Sequence, residues 1–115
     1  MNMVRKHITF YGWVQGVGFR YRARHAADLY GCTGWVRNEW DGSVTMEIQG
    51  TEENIDKVIL AIERGSYVRI ENMDSRTIQR IVRYIEHPVF YIMWSAYRLL
   101  HKDMFSGILL EDLNI

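Results

Sequence analysis

The sequence predicts an α+β fold of the ferredoxin-like (split β-α-β) kind: an antiparallel sheet with two helices on one face, plus a C-terminal extension. Three observations carry this expectation. Val44, Met46 and Ile48 alternate with Thr45, Glu47 and Gln49, the period of a strand with one buried face. Two stretches, around 20–30 and 51–65, instead place their apolar residues at helical spacing. In chain order the elements read β-α-β-β-α-β, with one further strand after them.

Each element has a local cause. His7 to Val14 reads as a strand, with Ile8, Phe10 and Trp13 as its large apolar members. From about Arg20 to Tyr30, Ala23, Ala26, Ala27 and Tyr30 form one narrow helical face, while Arg22, Arg24 and Asp28 can meet water. Gly31 suits the left-handed position just past a helix end. Gly34 to Trp40 reads as the second strand, and Asp41-Gly42 as a hairpin turn whose two central positions both take positive φ. The third strand, Ser43 to Gln49, ends at Gly50. Thr51 is the expected N-cap of the second helix, with Glu52 and Glu53 in the first turn, where the macrodipole favours acids. Ile55, Val58, Ile59 and Ile62 mark its buried face, and Gly65 closes it.

The last third is less patterned. An extended strand falls between Met73 and Ile81, a loop near Glu86-His87-Pro88, and Phe90, Ile92 and Trp94 alternate as the final strand. Beyond it, Ala96 to His101 reads as a short helix. Ile108, Leu109, Leu110 and Leu113 are apolar, which favours a tail that packs on the sheet or makes a dimer contact over one left in solvent. The expected organisation is one domain, 1–94, and an extension, 95–115.

Composition narrows the function classes. With 48% hydrophobic residues, 24% charged and one proline, a folded globular protein is expected. A net charge of zero argues against nucleic acid as the main partner. The charge is uneven, however: residues 1–38 hold six Lys/Arg against one acid, Asp28. Cys32 is the only cysteine, so an intrachain disulfide is impossible and a reducing, cytoplasmic location is expected. It follows a helix C-terminus, where the dipole disfavours a thiolate, so an unreactive thiol is expected. No apolar signal core follows Met1, and no segment approaches the length of a membrane span, so neither export nor membrane insertion is expected. Trp13, Trp35 and Trp40 read as core and sheet-face residues.

The stretch Gly12-Trp13-Val14-Gln15-Gly16-Val17-Gly18-Phe19-Arg20 carries the chemistry. Gly16 and Gly18 open backbone conformations in which successive N–H groups converge on one point. A helix start behind the loop adds unpaired donors and the positive end of a dipole. Arg20 adds a planar fork that grips phosphate in a bidentate way. In the expected fold the strand ending in Asn38 returns beside the first strand, near this cradle. An asparagine offers an acceptor and two donors, enough to orient a water toward a bound phosphoryl group. Read alone, Asn38 is merely an asparagine near a turn; the pairing with Arg20 makes it a candidate. His25, nearest the loop, is more simply an exposed helix histidine than a base. No Walker-type lysine follows the loop, and no carboxylate cluster of metal-ligand type stands out, so the substrate needs an intrinsically good leaving group.

Val14-Gln15-Gly16-Val17-Gly18-Phe19-Arg20 and Gly34-Trp35-Val36-Arg37-Asn38, continuing through Asp41-Gly42-Ser43-Val44, resemble the two signature motifs of the acylphosphatases. The resemblance covers residues 5 to 94 or so. It implies an acylphosphatase-like domain that hydrolyses acyl phosphates to a carboxylate and inorganic phosphate, with no cofactor and no metal. The implied phosphate-binding residues are Gln15, Gly16, Val17, Gly18, Phe19 and Arg20. The implied catalytic residues are Arg20 and Asn38, the latter holding a water that attacks directly, without a phosphoenzyme. Phosphate is then both product and competitive ligand, and the protein a monomer or a tail-mediated dimer. Members of this family usually stop soon after the strand at Phe90-Tyr91-Ile92, whereas this chain continues for some twenty residues.

Two other classes compete. A non-catalytic anion-binding module is one, because the same loop resembles the N-terminal domain of a hydrogenase-maturation carbamoyltransferase, for which carbamoyl phosphate is the relevant ligand. An RNA-binding sheet is the other; neutral charge and the lack of an aromatic-rich RNP-type strand weigh against it.

Overall fold

A computed structural model of the protein describes residues 2–81 and 90–93. Its elements are β1 (Met3–Trp13), α1 (Phe19–Leu29), β2 (Thr33–Asn38), β3 (Val44–Thr51), α2 (Glu52–Glu63), β4 (Arg69–Ile78) and β5 (Phe90–Met93). They form one five-stranded sheet in the order β4-β1-β3-β2-β5 with two helices, the α+β ferredoxin-like arrangement expected. The sheet is mixed rather than wholly antiparallel. β5 runs parallel to β2, in the register Gly34↔Phe90 to Arg37↔Met93, while the other pairs are antiparallel. Alternation shows which face a strand buries but carries no sign of its direction.

The core lies between sheet and helices. Ile8 and Phe10 from β1, Val36 from β2, and Val44, Met46 and Ile48 from β3 are fully buried, together with Ile55, Val58 and Ile62 from α2. Phe19, Ala23, Ala26 and Ala27 form the buried face of α1, and the Phe10 and Phe19 rings meet at 4.9 Å and 60°. Alanines on that face let α1 lie close to the sheet; Tyr30 stands at its C-cap, half-buried. Thr51 caps α2 as expected, its hydroxyl accepting from the Asn54 N–H at 3.1 Å.

Several expectations shift. β4 begins at Arg69, ahead of Met73, and ends at Ile78. It is an edge strand with mostly exposed side chains, so backbone pairing to β1 defines it and leaves no apolar alternation to read. β3 runs through Gly50 to Thr51, because its pairing with β1 continues to Met3. β2 stops at Asn38, and Trp40 is 99% exposed in the turn. The turn is not the two-residue type with positive φ at both centres: Gly42 alone is positive there, at 94°, and the Gly42 N–H donates to the Glu39 carbonyl at 3.2 Å. Glycine in third place makes the longer hairpin connection Trp40-Asp41-Gly42. Trp13 is 68% exposed, since it stands at an odd position of β1, on the face opposite that of Ile8 and Phe10. Trp94, the loop near Glu86-His87-Pro88 and the extension at 95–115 lie outside the described residues.

Candidate active site

The site forms where β1 gives way to α1. Gly16 and Gly18 have φ of 72° and 81°, so the chain makes two left-handed steps in three residues before the helix begins. A Cβ at either position would meet nothing within 4 Å, so what requires glycine here is the backbone conformation. Gly18 is the N-cap of α1, and no side chain caps it. The first N–H groups of the helix therefore point out of an uncapped terminus, the arrangement that favours an anion.

A cavity of about 150 Å³ lies at this point, lined by Val14, Gly16, Gly18, Phe19, Arg20, Tyr21 and Asn38. Arg20 comes from the first turn of α1 and Asn38 from the last position of β2, where it pairs with Val44. The fold thus brings Arg20 and Asn38 to one small space across eighteen residues of sequence. The Asn38 Oδ1 atom is buried and has no hydrogen-bond partner among the described residues.

The other loop residues divide. Gly16, Gly18 and Phe19 line the cavity, Phe19 through a side chain rooted in the core. Val17 packs against the core and is not part of the lining. The Gln15 side chain turns the other way: its amide donates to the carbonyls of Glu39, at 2.6 Å, and Ser43, at 2.8 Å. Those carbonyls flank the β2–β3 turn, where Asp41 Oδ1 accepts from the Ser43 hydroxyl at 2.6 Å and the Ser43 N–H at 2.9 Å. The two bonds, the hydroxyl's first, hold the Asp41 carboxyl below its ordinary range.

Two lining residues fall outside the expected set, Val14 just ahead of the loop and, less foreseeably, Tyr21. As an exposed helix residue next to an arginine, it gave no signal of its own. It also borders a larger groove of about 560 Å³ beside α1, shared with Arg24, His25 and Ala61. His25 belongs to that groove and not to the cavity, in keeping with its reading as an exposed helix histidine. Among the described residues no helix is long and apolar enough to cross a membrane.

Comparison with known proteins bears on this geometry. A family model described as Acylphosphatase matches residues 6–88. An acylphosphatase of Oceanobacillus iheyensis is 39% identical over 82 residues, which span 70% of this chain and 90% of that protein. In structure, the acylphosphatase from Bacillus subtilis superposes with a TM-score of 0.68 at 28% identity, covering 78% of this chain and 98% of that one. Full-length HypF, solved in a phosphate- and nucleotide-bound form, gives a TM-score of 0.66 at 28% identity, over 80% of this chain but only 12% of that much longer one.

Proposed function

The chain belongs to the acylphosphatase family and hydrolyses acyl phosphates in general; we propose that it does so by direct attack of a water held by Asn38 on a phosphoryl group held by the 15–20 loop and Arg20. The observation that carries this reading is the buried Asn38 Oδ1, without a hydrogen-bond partner among the described residues, in the same cavity as Arg20. A buried acceptor needs a donor, and a water that gives it one proton keeps a lone pair for phosphorus.

In this reading the phosphoryl oxygens take the uncapped N–H groups at the start of α1 and the guanidinium of Arg20. Negative charge that builds on those oxygens meets fixed donors, so no reorganisation is needed as the reaction proceeds. Water oxygen bonds to phosphorus as the bond from phosphorus to the acyl oxygen breaks. The carboxylate leaves with that electron pair, and the water's proton passes to an oxygen of the phosphate or of the departing carboxylate. A mixed anhydride leaves readily, so in-line positioning and charge stabilisation are most of what the protein must supply. Inorganic phosphate occupies the same cradle as product and competitive ligand. The single buried Cys32 suits a reducing compartment, and the cytoplasm is the location we assign.

Benzoyl phosphate hydrolysis, followed in the presence of EDTA, tests the reading. Turnover inhibited by phosphate supports it, and turnover abolished by EDTA removes its metal-free mechanism. Phosphate binding without turnover favours the anion-binding module instead.

A further inference from the structure

We propose that Gln15 is a positioning residue that sets the distance between the water on Asn38 and the phosphoryl group in the loop, an inference that rests on the role of Asn38 proposed above. The residue stands immediately before Gly16, the first glycine of the cradle. Its side-chain amide has two N–H donors, and both are committed to the hairpin that carries Asn38, to Glu39 O at 2.6 Å and Ser43 O at 2.8 Å.

The receiving end is well braced. Glu39 N–H donates to Ser43 O at 2.9 Å, Gly42 N–H to Glu39 O at 3.2 Å, and Asp41 ties the turn through Ser43. Glu39 is the residue next to Asn38, and Ser43 precedes Val44, the partner of Asn38 across the ladder. One side chain therefore joins the residue before the phosphate loop to both sides of the strand end that presents Asn38. β1 and β2 are not neighbours in the sheet, since β3 lies between them. The backbone ladder thus reaches from loop to Asn38 only through two strand pairings, and Gln15 provides the short connection. A shift of about 1 Å in such a relationship is enough to cost a hundredfold in rate.

If Gln15 acts through Asn38, removing its donors is costly only while Asn38 is present. Gln15→Met keeps the length and flexibility of the side chain and deletes both donors. We expect it to lower kcat for benzoyl phosphate by about tenfold to a hundredfold while leaving the inhibition constant for inorganic phosphate within about twofold. In an Asn38→Ala background the same substitution should lower kcat less than about twofold further, because the distance it governs no longer matters. Thermal unfolding of each variant, and phosphate inhibition as a second readout, identify any variant that has lost its fold; Gln15→Lys, which restores a donor of similar length, then replaces Gln15→Met and should recover part of kcat. Losses that multiply in the double variant, or a raised phosphate inhibition constant in Gln15→Met, overturn the positioning role. Wild-type turnover in Asn38→Ala alone would instead remove the water role on which it rests.

Discussion

The guanidinium of Arg5 donates to the carboxylate of Glu47 at 3.2 Å, and Arg5 is only 3% exposed. The other carboxylate oxygen of Glu47 lies 2.9 Å from Nδ1 of His7, so one acid on β3 holds two residues of β1. All three stand on the strand positions opposite those of Ile8, Met46 and Ile48, away from the helices.

Removing one partner of a buried pair leaves the other charge uncompensated, and the cost is greater where the charge left behind is more deeply buried: loss of Glu47 strands Arg5, 3% exposed, whereas loss of Arg5 leaves Glu47, 21% exposed, still against His7. Glu47→Ala is therefore expected to destabilise by about 2–3 kcal/mol, a loss of about 10 °C in Tm. Arg5→Met should cost less than half of that. Thermal or urea unfolding of the two variants checks the order, and the reverse order would show that Arg5 is held by its packing.

Arg20→Ala takes out of the cavity lining its only side-chain cation among the described residues. We expect turnover to fall by about a thousandfold or more, with phosphate inhibition lost in the same variant. Steady-state kinetics with benzoyl phosphate and a phosphate titration measure both. Retained phosphate inhibition would place the anion elsewhere.

Asn38→Ala separates the other half of the site. Turnover should fall by about a hundredfold while the inhibition constant for phosphate stays nearly unchanged, because the proposed mechanism takes its water from Asn38 on β2 and its phosphate contacts from the loop and Arg20. Parallel losses in turnover and phosphate affinity would mean that Asn38 binds phosphate directly.

Cys32 is buried, and that burial pushes its thiol up from 9.0 to about 11. A group whose pKa is raised by folding contributes stability that is complete below its ordinary value and is lost as pH climbs through the folded one. Between pH 9 and 11 we expect an alkaline loss of about 2 kcal/mol that disappears in Cys32→Ala. Urea unfolding across that range measures it. Alkylation by iodoacetamide at pH 8 should also be slow in the native protein and fast once it is unfolded.

Much of the site was legible because its parts are local. Gly16 and Gly18 take positive φ as their loop position demands, and α1 starts directly behind them with Arg20 in its first turn. Thr51 caps α2 for the same local reason. The turn after Asn38 was harder: Asp-Gly suggests a two-residue hairpin in any sequence, and the bonds from Glu39 N–H to Ser43 O and from Gly42 N–H to Glu39 O fix the longer connection. Tyr21 and the direction of the Gln15 side chain had no local signature at all.

The sequence by itself determined the element order, the helical and strand faces and the glycine loop that leads into α1, since each follows from spacing and from the conformations glycine permits. Tertiary structure alone decided that β5 lies parallel beside β2, that Asn38 shares a cavity with Arg20, and that Gln15 braces the hairpin instead of lining that cavity. These relations span eighteen to fifty-six residues of chain. They depend on which strands pair and on where buried donors find acceptors, and only the folded backbone settles that.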